Sequence, residues 1–359
     1  MAAFNGQLRS NEIFSALYNM IISQEVFADN LGAHQTLVDK ARVDGSLFGD
    51  TKLYYSTDVL KSAPWGNDAE AANLLALHRP DAPKCQAIHL DVFRQICLTV
   101  DNYLSKRAWA TEGAFSSFNG VMLGWMRETK RVYDGTLYNV FIGTTVSPKT
   151  AQNREVKIKG LTDVKEEAMT IAQDLADLFV EMGDYSREFN DNEMLRSYAK
   201  EGIKVIWNSK FVNKIRKVDL PTIFHKDGLV DKFEEEVLPA RYFGTVAGAN
   251  VAAGDNDGSY RSVLEKDYVN TDSETVHVFP GDLVPAGIAL TKGEVYAEDA
   301  DVICKVLVKL PPYMSAFEVG TSFFNPKSLT ENHYLTFGHN TLEYLENYPF
   351  ITVKAVAID

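Results

Sequence analysis

His333 and His339, six residues apart and flanked by Glu331 and Glu343, are the side chains of this chain best suited to metal binding or acid–base work. Ligands on a helical face recur every three or four residues, and a spacing of six gives no clean shared face. Each therefore reads as a lone surface or hydrogen-bonded histidine. Asp255-Asn256-Asp257-Gly258 has the texture of a calcium loop, but Ala253 and Leu264 occupy the positions where the first ligand and the bidentate Glu belong; a solvated turn is the expectation. The stretch from Gly143 to Thr150 lacks the second Gly and the Gly-Lys pair of a phosphate loop and reads as a strand-end turn. Cys85, Cys97 and Cys304 show no zinc spacing, and no His or Lys stands where it would activate Cys97 or Cys304, so inert burial as small apolar fillers is expected. The acidic runs Glu234-Glu235-Glu236 and Glu298 to Asp301 read as solvated faces. Dinucleotide fingerprints, nucleophile elbows and paired-His zinc motifs do not occur. No catalytic, cofactor or metal residue is expected.

The balance of charges excludes a further class. Lys and Arg total 36 against 49 acids, a net charge of −13. Gripping a phosphate backbone takes clustered cations that release counterions, and this chain is short of them. Hydrophobic residues at 45% and charged residues at 24% over 359 positions suit a folded protein with a sizeable core. The first ten residues lack a basic stretch running into an apolar one, so no secretory leader is expected, and no apolar run approaches a membrane span.

Residues 11–28 carry Ile13, Leu17, Met20, Ile21 and Phe27 near helical spacing. From Gly45 to Gln86 the pattern dissolves into turn formers (Gly49-Asp50, Pro64-Trp65-Gly66-Asn67, Pro80-Asp81) interleaved with Leu53, Tyr54, Tyr55 and Val59. Apolar residues on an excursion too thin to build its own core point to burial against another chain or back onto this one. Tyr54, Tyr55, Lys61, Pro64 and Trp65 are the contact candidates. Ala87 to Tyr103 reads as strand and turn. Phe115, Phe118, Met122, Trp125, Thr129 and Val132 then form one stripe of a helix over Lys106 to Tyr133, roughly 40 Å long, which Asp134-Gly135 should end. Strands are expected over Leu137 to Thr145 and Glu155 to Lys159. A helix should run from Asp163 to Met182, capped by Thr162, with Val164, Ala168, Ile171, Leu175, Leu178 and Met182 buried. A shorter helix, Asn192 to Glu201, should feed a strand over Ile203 to Trp207, with further strands near Ile223 and Val237 to Val246. Ala247 to Thr275 reads as a surface loop. Strands follow at Val276 to Phe279, Ile288 to Leu290 and Asp301 to Leu310, and an apolar strand, Pro349 to Ile358, closes the chain.

This order of parts resembles the major capsid proteins of tailed bacteriophages and herpesviruses, the Johnson fold. The segments Thr99-Val100-Asp101-Asn102-Tyr103-Leu104-Ser105-Lys106-Arg107-Ala108-Trp109, Trp125-Met126-Arg127-Glu128-Thr129-Lys130-Arg131 and Glu346-Asn347-Tyr348-Pro349-Phe350-Ile351-Thr352-Val353 are similar to shell proteins of small short-tailed phages, the phi-twenty-nine-like and picovirus type. The resemblance implies an α+β fold with an N-terminal arm (1–44), an extended E-loop (45–86), a peripheral domain with its spine helix (87–160), an axial domain (161–320) with an insertion loop (247–275), and a return to the peripheral domain (321–359). It implies a structural, non-enzymatic protein that assembles in the host cytoplasm, as hexamers and pentamers, into the icosahedral head of a virion. Copies of itself would be the main partners, with scaffold, portal and head fibre or decoration proteins beside them. Packaged double-stranded DNA would be met only by non-specific proximity, with no membrane involved. Some members of the fold crosslink a Lys to an Asn; Lys61 lies in the would-be E-loop, but nothing marks its partner and no crosslink is expected. Two other readings stay open: the shell of an encapsulin-like compartment, and a cytosolic enzyme built on His333, His339 and Glu331.

Overall fold

The computed structural model describes residues 36–45, 51–62, 77, 79–101, 112–216 and 234–358. The expected helix at 11–28, the strand near Ile223, and Pro64 and Trp65 lie outside them. In chain order the described elements are α1 (Thr36–Ala41), β1 (Arg42–Asp44), β2 (Thr51–Ser56), β3 (Lys84–Asp101), α2 (Glu112–Thr144), β4 (Asn153–Lys159), α3 (Val164–Gly183), β5 (Lys204–Asn208), α4 (Ser209–Arg216), β6 (Glu234–Leu238), β7 (Gly244–Val246), β8 (Arg261–Ser262), β9 (Lys266–Val269), β10 (Thr275–Val278), β11 (Val295–Glu298), β12 (Val302–Leu307), β13 (Tyr313–Asn325), β14 (Thr330–Asn340) and β15 (Phe350–Ala357). Among the described residues no helix is long and apolar enough to cross a membrane. The chain divides into two compact units; α2, β3, β13 and β14 contribute residues to both.

The first unit holds Phe93–Gly135 and Glu318–Phe337. On one side of its strands, Arg94 lies 4.9 Å over the Tyr133 ring and Tyr133 packs at 5.7 Å on Phe337. On the other, polar pairs join neighbouring strands: Gln95 donates to Thr336 at 2.9 Å and Thr99 to Asn332 at 2.7 Å. Met126, Lys130 and Tyr133 are buried while Trp125 is exposed, so the buried stripe is turned by one residue from the expected one. Lys130 explains the offset. It donates to Asp134 at 3.0 Å, lies 3.7 Å from Glu318, and sits 5.4 Å over Phe337. A buried cation satisfied at i+4 occupies the inner face where only apolar residues were sought.

The same pair corrects the end of the helix. Asp134-Gly135 does not terminate it; α2 continues to Thr144, a 33-residue rod of about 50 Å. Asp134 is withdrawn from its turn-forming role by Lys130, and the expected strand Leu137 to Thr145 is helical.

The second unit holds Leu37–Val92, Thr136–Phe317 and Gly338–Asp359. Its centre is a five-stranded sheet, β4-β15-β12-β5-β6, in which β15 and β5 run antiparallel to β12 while β4 and β6 are parallel to their neighbours. β15, the expected closing strand, is buried at five of its eight residues. One core joins it to α3 through Ile171, Leu175, Leu178, Ile303, Ile351 and Val353. A second core gathers Tyr138 and Ile142 from the end of α2 with Ile206, Leu307, Phe243 and Phe350. Each fully buried aliphatic or aromatic side chain contributes about 1.5–3 kcal/mol, which outweighs the strand preference of Val140 and Ile142.

Further corrections are local. Asp163, not Thr162, caps α3, accepting from the Lys165 amide at 2.9 Å; Gly183 is its last residue and Val164 is exposed. Asn192 to Glu201 forms no α-helix, only the start of a 3-10 turn at Lys200–Gly202. The Asn190 side chain donates to and accepts from the Met194 backbone at 2.8 Å each way, and the main chain bridges Ser186 to Arg196, so a closed loop replaces the helix. Ala247 to Thr275 carries β8, β9 and the start of β10, and its Tyr268 joins Val278, Val284, Leu290 and Val295 from the following stretch in a small core. Ile288 to Leu290 contributes one bridge, to Val251, in place of a strand. β13 and β14, 13 and 11 residues long, escaped the sequence reading.

Candidate inter-subunit surface

β2 pairs antiparallel with the start of β3, from Thr51 opposite His89 to Ser56 opposite Lys84. Period-two alternation turns Ser56 inward and Leu53 and Tyr55 outward. Polar contacts tie the base of this ribbon to the rest of the second unit. Asn192 donates to the buried Ser56 at 3.3 Å, Lys84 to the Asn192 carbonyl at 3.0 Å, and Arg196 to the Thr57 carbonyl at 2.7 Å. Gln86 bonds the chain at Tyr344 and Glu346. Asp58 accepts from Arg187 at 2.5 Å and from the amides of Leu195 and Val59, and these hydrogen bonds, Arg187's first, hold its carboxyl down to about 2.

Beyond this base the apolar residues face outward: Tyr55 is 63% exposed, Val59 52%, Leu60 76% and Leu77 79%. Lys61 meets Asp81 at 3.1 Å, a solvent-exposed pair of little energetic weight. Of the expected contact residues, Tyr55 and Lys61 are therefore presented to solvent. Tyr54 packs back on its own chain, beneath the Lys309 ammonium at 5.4 Å, which also covers Tyr348 at 5.3 Å; burial raises its phenol pKa. Leu60 and Leu77 were missed, because isolated leucines between turn formers carry no periodic signal.

The chemistry candidates disperse. His339 is buried, with Nδ1 2.8 Å from the Asn340 carbonyl oxygen and its ring stacked 5.6 Å from Tyr313. His333 belongs to the first unit, where with Met126, Arg127, Glu318 and Tyr334 it lines an open cleft of about 460 Å³. Among the described residues no group of three His, Cys, Asp or Glu side chains is arranged to hold a metal ion. Asp257 caps the Ser259 amide at 2.9 Å, and the expected solvated turn is anchored inward by Asn256, which is buried and donates to the carbonyls of Pro285 and Ile288. Gly143 lies in α2 and leaves no room for a Cβ against the Tyr242 carbonyl, so close packing explains it where a strand-end turn was expected. Cys304 is buried and burial pushes its thiol well up, but Cys85 and Cys97 are exposed, contrary to expectation. β3 alternates, and Cys97 falls on its outer parity.

Apart from the exposed Glu235, the acidic runs are paired. Glu234 and Glu236 bind Lys40, and Glu234 also binds Lys204. Glu298 meets Lys210 and Arg261 at 3.5 Å each, Asp299 meets Lys354 at 3.0 Å, and Asp301 meets Lys159 at 2.5 Å. These carboxylates hold strands and loops together rather than facing a substrate.

No protein-family model matches the chain, and no curated protein does. Solved structures do. A chain in the capsid structure of Staphylococcus phage Andhra aligns with TM-score 0.56 and 10% identity, covering 87% of this chain and 82% of that one. A chain in the structure of the head fiber and inner core protein gp22 of native bacteriophage P68 aligns with TM-score 0.55 and 10% identity, covering 87% and 83%. At such identity the likeness is one of fold, and it spans most of both chains. The fold is the mixed α+β, Johnson-type fold of phage capsid proteins.

Proposed function

We propose that this chain is the shell-forming subunit of a tailed-phage head, of the small short-tailed type, which closes with copies of itself into an icosahedral container for double-stranded DNA. The observation that carries the reading is the ribbon of residues 51–62, 77 and 79–89: hydrogen-bonded to its own unit at the base and apolar at its exposed end. Obligate self-assembly interfaces bury above ~2,000 Å², and an arm that reaches a sister molecule supplies such area without a larger core. The fold shared with capsid chains supports the same assignment.

In this reading 45–86 is the loop that lies across a neighbour, with Tyr55, Lys61, Pro64 and Trp65 in the contact. Residues 1–44 form the N-terminal arm, α2 is the spine helix of a peripheral domain over 87–160 and 321–359, and 161–320 is the axial domain, with 247–275 a structured insertion. Scaffold, portal and decoration proteins would meet it during assembly in the host cytoplasm. A net charge of −13 lets packaged DNA slide along the wall instead of sticking to it.

Sedimentation and negative-stain imaging of the full chain co-expressed with its scaffold test the proposal. Capsomers or closed particles are the expected outcome. A species that stays monomeric at every concentration overturns it, and particles filled with a cargo enzyme and lacking DNA transfer the assignment to a cellular compartment shell.

A further inference from the structure

Lys305 stands in the middle of β12, fully buried, opposite Ile206 of β5 and Thr352 of β15 on the sheet face that receives the end of α2. Its Nζ donates to the main-chain oxygen of Thr145, the residue directly after the helix, at 2.7 Å and to Thr352 Oγ1 at 2.9 Å. The Phe350 ring centroid lies 5.6 Å away. The carbonyls at a helix C-terminus carry the negative end of its dipole, an attraction for an ammonium that full burial outweighs here. No carboxylate forms an ion pair with Lys305 among the described residues. The elements packed around it supply few charges: Tyr138, Ile142 and Thr144 from α2 and Ile206 from β5 are uncharged, Cys304 precedes it on β12, and Lys354 on β15 is already paired with Asp299 at 3.0 Å. An apolar side chain would fill this position without the cost of a buried ionisable group.

We propose that Lys305 is a proton-linked latch between the end of the long helix and the central sheet, so that this junction opens more readily when the buried amine takes up a proton. Burial, reinforced by Lys354, lowers the amine from the ordinary lysine value of 10.5 to about 7. Once the helix end lifts and water enters, the amine returns to its ordinary value. Between the two values the open state binds one proton more than the closed state, so opening increases as pH falls, about tenfold per pH unit. Below about 7 both states are protonated and the dependence flattens. The device concerns one helix–sheet junction and operates whether or not the chain builds a shell.

Hydrogen exchange on the full chain between pH 6 and 9, corrected for intrinsic amide rates, reads the opening directly at residues 140–145. The wild-type chain should show protection at these amides rising about fiftyfold in all from pH 7 to 9, approaching tenfold per unit at the upper end, while α3 amides change little. Lys305→Met should abolish the slope and leave the helix end protected throughout. A flat wild-type profile, or the same slope in Lys305→Met, overturns the proposal. Should Lys305→Met fail to fold, Thr352→Val decides. Losing the hydroxyl acceptor disfavours the ammonium further and moves the steep region to lower pH; an unmoved profile counts against the latch.

Discussion

Leu60 and Leu77 are 76% and 79% exposed, so the isolated chain gains almost nothing from their side chains. If a sister molecule covers them, each contributes its full burial. Truncating Leu to Ala removes roughly three methylene equivalents at about 0.8 kcal/mol each, close to 2 kcal/mol per site in a dry interface. The double variant Leu60→Ala/Leu77→Ala should therefore weaken the contact by about 4 kcal/mol. At about 1.4 kcal/mol per decade, the concentration at which capsomers form should rise nearly a thousandfold. Fold stability should stay within about 0.5 kcal/mol, as for surface substitutions away from special features. Leu175→Ala supplies the opposite signature: this residue is buried between α3 and the central sheet, so 2–5 kcal/mol of folding free energy should disappear. Sedimentation velocity over a dilution series gives the assembly threshold, and urea unfolding of the dissociated chain gives the stability. An assembly threshold that does not move in the double variant refutes the argument that these leucines are covered by a second copy.

Asp134→Ala should cost about 3–5 kcal/mol in urea unfolding, because Lys130 is left charged and buried with only the more distant Glu318 nearby; Lys130→Met/Asp134→Leu should recover most of it. The carboxyl of Asp58 titrates lower in the folded chain than its ordinary value of 3.8, so its contribution to anchoring the ribbon is complete above that value and is lost as pH falls toward about 2. Limited proteolysis near residues 57–62 with an acid-active protease should accelerate over that window, and Asp58→Asn should be cut quickly at neutral pH as well. A thiol reagent should label Cys85 and Cys97 in the native chain and Cys304 only after unfolding, as mass spectrometry would show.

The elements whose signal is local and periodic were legible in the residues alone. Ala168, Ile171, Leu175, Leu178 and Met182 recur at helical spacing and do form the buried face of α3. The apolar run closing the chain is the buried strand β15, because a strand covered on both faces leaves a near-continuous hydrophobic text. Partners distant in sequence decided the rest. Asp134-Gly135 spells a helix stop, yet Lys130 occupies the Asp carboxylate and the cores around Tyr138 and Ile142 carry α2 onward. Tyr54 and Tyr55 are identical neighbours in the text, and only the pairing of β2 with β3, with Lys309 lying over one of them, turns the first inward and leaves the second exposed. Lys305 carries no signal of its own within the expected strand Asp301 to Leu310; its burial arises because Ile206, Thr145 and Thr352 converge on it from segments roughly 50 to 160 residues away in the chain. Sequence spacing encodes which face of an element is apolar; which charge ends up against which carbonyl depends on contacts that exist only after the chain has closed on itself.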